Sequence, residues 1–184
     1  MRTLVSSRLT MPVLAALALA FLLAMVVTGA QPKQRQLVKF EAKGVLRLEP
    51  EAVRSITLNR GARQAQLRRS AEGGWTLERG GVLEPAVATH LETAVKMLHR
   101  SAPVREIAPE ELAGVDTRPF GLEEPAFGAT LSGPNGQVLR LRFGAHNPEG
   151  FLQYMAIEGD PRVYLMSRFI GAEWLAALDA MEVR

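Results

Sequence analysis

AFGATLSGPNGQVLRLRF, residues 126–143, is the stretch from which the fold is read. Ala126 to Ser132 and Gln137 to Phe143 alternate apolar with polar or small residues, the period of a strand with one buried face. Between them Gly133-Pro134-Asn135-Gly136 supplies turn chemistry: proline presets one backbone angle, and asparagine and glycine tolerate positive φ. The stretch is an antiparallel hairpin. Working outward, Phe151 to Ile157 and Arg162 to Met166 form a second pair around Glu158-Gly159-Asp160-Pro161, and Ser167 stands as the N-cap of a helix carrying Phe169, Ile170, Trp174, Leu175 and Leu178.

The upstream half has a similar layout. Val53 to Asn59 and Arg63 to Arg69 alternate on either side of a turn at Gly61, and Gly73-Gly74 precedes a short strand in which Trp75 and Leu77 share a face. Pro85 suits the first turn of a helix, where its missing N–H costs nothing, and Val87, Leu91, Ala94 or Val95, and Leu98 follow one helical face to Arg100. A strand-like Pro103–Ile107, a helical turn at Pro109–Leu112 and an irregular segment from Gly114 to Pro125 complete this half. Strands followed by a helix recur in both halves, the layout an internal duplication would leave. The fold class expected is α+β, antiparallel hairpins packed with two main helices.

Ahead of these elements lies an uncharged stretch from Leu9 to Pro32 whose apolar heart is Met11–Val27. A helix of about twenty such residues matches the roughly 30 Å of bilayer hydrocarbon. Two readings compete: an uncleaved membrane anchor, or a signal peptide with Arg2 and Arg8 as its charged region and Thr28-Gly29-Ala30 as its cleavage site. The organisation expected is therefore an anchor or signal over 1–32 with a short cytoplasmic tail, a basic juxtamembrane linker over 33–52, and an α+β domain over 53–184. Orientation is read in two ways. Lys33, Arg35, Lys39 and Lys43 after the helix favour a cytoplasmic domain by the positive-inside rule, whereas a short tail with two arginines is the build of a signal anchor with an exported domain. The exported orientation, in a bacterial inner membrane with the domain facing the periplasm, is the expectation.

The chain contains no cysteine, which excludes a lipoprotein anchor, disulfides, thiolate nucleophiles and cysteine-based metal sites. The formal net charge of +3 hides an asymmetry: residues 33–69 hold ten Lys or Arg against three acids, and residues 70–184 hold ten against sixteen. Basic residues next to an apolar helix gain from anionic headgroups, about 1 kcal/mol each when close to the surface. They are scattered without aromatic partners, so no nucleic-acid partner is expected.

Candidate chemistry is sparse. His90 and His99 are nine residues apart on one helix, on opposite faces, and cannot jointly ligate a metal. His146 sits in the loop Ala145-His146-Asn147-Pro148. The acids Glu110, Glu111, Asp116, Glu123 and Glu124 lack the alternation of a calcium loop. No nucleophile elbow, Walker loop, HExxH helix or dinucleotide fingerprint occurs, so neither catalytic residues nor a cofactor or metal are expected. The segment around Asp116, Arg118 and Phe120 admits two readings: a protruding loop with an anchoring Phe, or Phe120 and Leu122 tucked against the sheet. The candidate partner-binding residues are Arg118, Phe120, Leu122, Tyr154 and Tyr164, with Tyr154, Tyr164 or Trp174 lining a sheet groove.

Several short motifs in a shared order carry a resemblance. Gly74-Trp75-Thr76-Leu77, the helix with Leu91 and Leu98, Phe120-Gly121-Leu122-Glu123-Glu124-Pro125, the hairpin ending Leu141-Arg142-Phe143-Gly144, Tyr154 and Val163-Tyr164-Leu165 look like the bacterial domain-of-unknown-function 4340 family. The resemblance covers about Val53 to Leu178. Phe120 stands where that family commonly has Tyr, and Pro85 follows the Trp strand only after an extra Gly-Gly. The resemblance implies a membrane-anchored, extracytoplasmic α+β domain, of a kind often encoded beside envelope or transport systems of the gliding-motility ABC type, and it supplies no catalytic residues. The function expected is that of a noncatalytic accessory or assembly subunit of a larger membrane complex, its partners being the lipid bilayer and a complex subunit. The alternative is an extracytoplasmic binding module for a small ligand or envelope polymer, and a third reading, an enzyme, would need His146 to converge with acids of 110–124.

Overall fold

The computed structural model describes residues 10–30, 43–80 and 83–182, and the chain divides into two compact units, residues 1–41 and 42–184. The first contains α1 (Thr10–Ala30), a helix of 21 residues. Its side chains are described over residues 12–26, all exposed, including Leu14, Leu17, Phe21 and Leu22. Among the described residues no helix is long and apolar enough to cross a membrane. The span expected over 9–32 is thus unsupported here. The linker residues Lys33, Arg35 and Lys39 lie outside the described residues.

The second unit is α+β. Among the described residues it has eight strands, β1 (Ser55–Arg60), β2 (Arg63–Arg69), β3 (Trp75–Leu77), β4 (Arg105–Ile107), β5 (Phe127–Ser132), β6 (Val138–His146), β7 (Leu152–Ile157) and β8 (Val163–Ser167), and three helices, α2 (Pro85–Arg100), α3 (Pro109–Leu112) and α4 (Arg168–Glu182). The strands form one antiparallel sheet in the order β3-β2-β1-β5-β6-β7-β8-β4. Each half of the chain lays its strands outward from the central β1–β5 pair and follows them with a long helix. The layouts correspond, β1-β2-β3-α2 to β5-β6-β7/β8-α4. The strand β4 breaks the correspondence by crossing to the far edge beside β8.

Helices α2 and α4 pack on each other and cover one face of the sheet. Leu91, Ala94, Val95 and Leu98 of α2 and Ile170, Trp174 and Ala177 of α4 meet Ile56, Leu58, Leu131, Phe143 and Met155 from the strands, all buried. Phe127 and Phe143 are directly opposite in register, and their rings stack at 4.5 Å, a cross-strand aromatic pair contributing about 1 kcal/mol beyond its area. Ser167 is the last residue of β8, so α4 follows that strand with no intervening loop.

The domain begins earlier than residue 53. Gly44 N and Leu46 N donate to the carbonyls of His99 and Leu98 at 3.0 and 3.1 Å, Leu46 is buried, and Pro50–Ala52 form a 3₁₀ turn. Within this stretch, expected to be linker, Gly44 and Leu46 satisfy open carbonyls at the end of α2, groups every helix terminus leaves without an internal partner.

Two departures shape the open face of the sheet. The strand β6 runs on to His146, three residues past the expected end, so His146 is an exposed strand residue paired with Gln153 and not a loop residue. To get there the strand bulges: Gly144 and Ala145 stand against the single Tyr154 of β7. Bulges re-aim neighbouring side chains, and this one lies under the irregular segment 114–125.

Candidate functional site

The face of the sheet away from α2 and α4 is divided. On β1, β2, β5 and β6 it is polar, presenting Thr57 opposite Gln66 and Thr130, and Thr130 opposite Arg140. On β7, β8 and β4 it is apolar. There Ile107, Val163 and Leu165 form a second cluster, joined by Leu112, Phe120, Leu122, Leu152 and Tyr154. Strand parity makes the division: Leu152 and Tyr154 alternate with Gln153 and Met155, which point to the helices.

The segment 114–125 lies down on this apolar half. Phe120 ends a 3₁₀ turn, Arg118–Phe120, capped by Gly121 in the left-handed region at φ 64°, where glycine carries no steric penalty. A Cβ on Gly144 would sit 2.1 Å from the Phe120 carbonyl and 3.0 Å from Leu122 Cδ2. The bulge glycine is therefore what allows backbone to rest on backbone. The Phe120 ring then stacks on Tyr154 at 4.2 Å between centroids and 18° between planes, and Arg142 fixes the segment by donating to the Leu122 carbonyl at 3.1 Å. Of the two readings, the tucked one describes Phe120 and Leu122.

Arg118 stays outside, its side chain 82% exposed and engaged by Asp116 through a two-pronged pair at 2.9 and 2.7 Å. Those bonds hold the Asp116 carboxyl below the ordinary carboxylate range. Glu111 is likewise lowered, first by the Ala108 amide and then by Arg105 at 2.6 Å.

Beside the stacked pair a groove of about 620 Å³ runs along β4. Ile107, Leu165, Leu152 and Tyr154 form its floor, Leu112 and Phe120 its walls, and Val104 and Val115 its rim, 65% and 49% exposed. Its polar lining is Arg105, Glu111, Asn147 and Glu149, bonded as the pairs Arg105–Glu111 and Asn147–Glu149. Asn147 also accepts from the Phe151 and Leu152 amides, which shapes the β6–β7 turn at the groove end.

The expected residues thus separate. Phe120, Leu122 and Tyr154 share one cluster, and Arg118 flanks it. Tyr164 does not belong: in register it opposes Met155, lies on the helix-covered face, and donates to Asp160 at 2.6 Å. Trp174 is wholly buried in the main core. Of the three aromatics expected at a sheet groove, Tyr154 lines this one, whereas Tyr164 on the opposite face and Trp174 in the core do not. His146 does not line the groove either.

The histidines of α2 have separate partners, His90 with Glu173 of α4 at 2.6 Å and His99 with the Leu46 carbonyl at 3.2 Å. Among the described residues no group of three or more His, Asp or Glu side chains is placed to hold a metal. Sequence reasoning missed the groove itself. Its floor depends on β4 pairing with β8, a contact between segments far apart in sequence, and the only local signal is the strand-like character of Pro103–Ile107. No protein-family model matches the chain, and neither the curated proteins nor the solved structures contain a match to it.

Proposed function

We propose that this chain is a noncatalytic, membrane-anchored accessory subunit that docks onto a larger bacterial membrane complex through the apolar half of its open sheet face. The observation that carries the reading is the Phe120–Tyr154 stack beside a groove rimmed by exposed Val104 and Val115. Contiguous exposed apolar surface marks an interaction site more often than isolated apolar residues do. The charged residues of the groove are already bonded, Arg105 to Glu111 and Glu149 to the neutral Asn147 amide, which supports binding over turnover.

The anchor is part of the same proposal. It rests on the sequence: the stretch Leu9–Pro32 carries no charged residue, and an apolar run of about twenty residues is what a bilayer-spanning helix needs. The periplasmic placement and the kind of complex rest on the family resemblance of residues 53–178. Purification of the full chain in mild detergent, with a variant lacking residues 1–30 as control, tests the reading. A membrane partner recovered in fixed proportion with the full chain supports it. A monomer in both forms overturns it and turns attention to ligand binding by the domain.

A further inference from the structure

We infer that the groove along β4 accepts a basic, extended segment of a partner protein, with apolar side chains set into the floor of Ile107, Leu152, Tyr154 and Leu165 and lysines or arginines at the rim. The inference rests on the docking reading above and specifies the chemistry of what docks.

Charge decides the sign of the partner. The segment 108–125, which supplies the groove wall, carries Glu110, Glu111, Asp116, Glu123 and Glu124 against Arg118 alone, and Glu149 lines the opposite end. The arginines nearby are already engaged, Arg105 by Glu111, Arg118 by Asp116, and Arg142 and Arg168 by the carbonyls of Leu122 and Gly150. A second cation approaching this rim therefore meets carboxylates whose bonds leave further lone pairs open. Anionic headgroups and nucleic acid meet repulsion instead.

Shape and polarity narrow the occupant further. Arg105–Glu111 and Asn147–Glu149 bond each other, so the groove offers few convergent polar groups of the kind a sugar or small polar ligand needs. The exposed apolar rim at Val104 and Val115 extends beyond the floor, as a surface for an elongated segment does. The strand β4 is three residues long, and a short edge strand offers too few backbone groups for strand addition to dominate. Recognition falls on side chains, so substitutions at the rim separate binding from folding.

The test uses the full chain in mild detergent and three labelled synthetic peptides: one alternating lysine with leucine and phenylalanine, one with glutamate for lysine, and one with serine for the apolar residues. Fluorescence anisotropy reads binding. The basic apolar peptide is expected to bind alone of the three. Raising salt from about 0.05 M to about 0.5 M weakens it several-fold as the charges are screened. Val104→Lys with Val115→Lys weakens it at least about tenfold, while Val138→Lys at another exposed valine, on β6, leaves it unchanged. Absent binding, equal binding of the acidic peptide, or indifference to the rim substitutions overturns the inference. In the co-purification experiment, a partner retained by the rim double variant overturns the groove assignment and leaves the accessory-subunit reading standing; a wild-type chain without a partner overturns that reading itself.

Discussion

Arg69 and Glu92 form a partly buried ion pair at 2.7 Å, and the same Glu92 oxygen accepts from Trp75 Nε1 at 2.8 Å while the Arg69 guanidinium lies 4.3 Å over the Trp75 ring. Arg69 also donates to the carbonyls of Val53, Gly73 and Pro50. One side chain, 8% exposed, thereby ties the start of the domain, the end of β2, the turn before β3 and helix α2. Removing one partner of a buried, multiply bonded charge leaves the others unsatisfied, which costs far more than the pair contributes at a surface. Arg69→Met is expected to lower unfolding free energy by about 3 kcal/mol. Arg68→Met, whose pair with Glu78 is exposed, is expected to change it by less than about 0.5 kcal/mol. Denaturant unfolding followed by circular dichroism makes the comparison, and equal effects would refute the hub role.

Gly44 makes a second point of dependence. Its Cβ would fall 2.0 Å from the Leu98 carbonyl oxygen and 2.4 Å from that of His99. Both are backbone atoms of a packed helix end and cannot swing away. Gly44→Ala is expected to push residues 44–46 off α2, disturbing two hydrogen bonds and the Leu46 contact, at a cost of about 1–3 kcal/mol. Gly74→Ala meets nothing nearer than Ser70 Oγ at 3.8 Å and is expected to be close to neutral, within about 0.5 kcal/mol. Thermal unfolding of the two variants side by side gives the answer.

The bulge offers a way to perturb the candidate site while sparing the main core. Gly144→Ala would drive a methyl group into the Phe120 carbonyl, lifting the 118–122 segment and separating Phe120 from Tyr154. The amides of Phe120 and Gly121, which donate to Thr117 and Arg118 at 3.0 Å, are expected to exchange with solvent at least about tenfold faster, with amides of α2 and α4 unchanged. Hydrogen exchange resolved by residue is the measurement. Faster exchange spread evenly over the domain would mean that Gly144 serves the core and not the site.

These cases show where sequence legibility ends. The helix Pro85–Arg100 is readable to the residue because proline at its first position and a 3.6-residue apolar period are local signals. The hairpins are readable for the same reason, through Gly61 and the Pro-Asn-Gly turn. Gly44–Leu48 is not, since it docks to carbonyls and leaves no mark in side-chain pattern. Tyr154 and Tyr164 look equivalent in sequence, each in a short apolar run. Only the antiparallel register, Tyr154 opposite Leu165 and Met155 opposite Tyr164, places them on different faces. The site was legible as a set of residues around Phe120 and illegible as a surface, because the long-range β4–β8 pairing and the bulge at Gly144 create it.

Tyr164 remains informative even outside the groove, because its partner titrates. Burial first, and then the Asp160 carboxylate at 2.6 Å, push the Tyr164 phenol up to about 12. Hydrogen bonds from Arg162, and then from Tyr164, hold Asp160 well below the usual carboxylate range. The signs follow from linkage. A raised phenol contributes stability that is complete below about pH 10 and is lost as pH climbs from about 10 towards 12. A depressed carboxyl contributes stability that is present above about pH 4 and is lost as pH falls through its lowered folded value. Tyrosinate absorbance is therefore expected to show a late-titrating phenol near pH 12 that disappears in Tyr164→Phe. The melting-temperature gap between the wild-type chain and Asp160→Asn is expected to be widest near neutral pH and to close progressively as pH falls from about 4. A gap that persists unchanged into strong acid would mean that Asp160 acts through its shape and neutral hydrogen bonding, and that the Arg162 pair contributes nothing through charge.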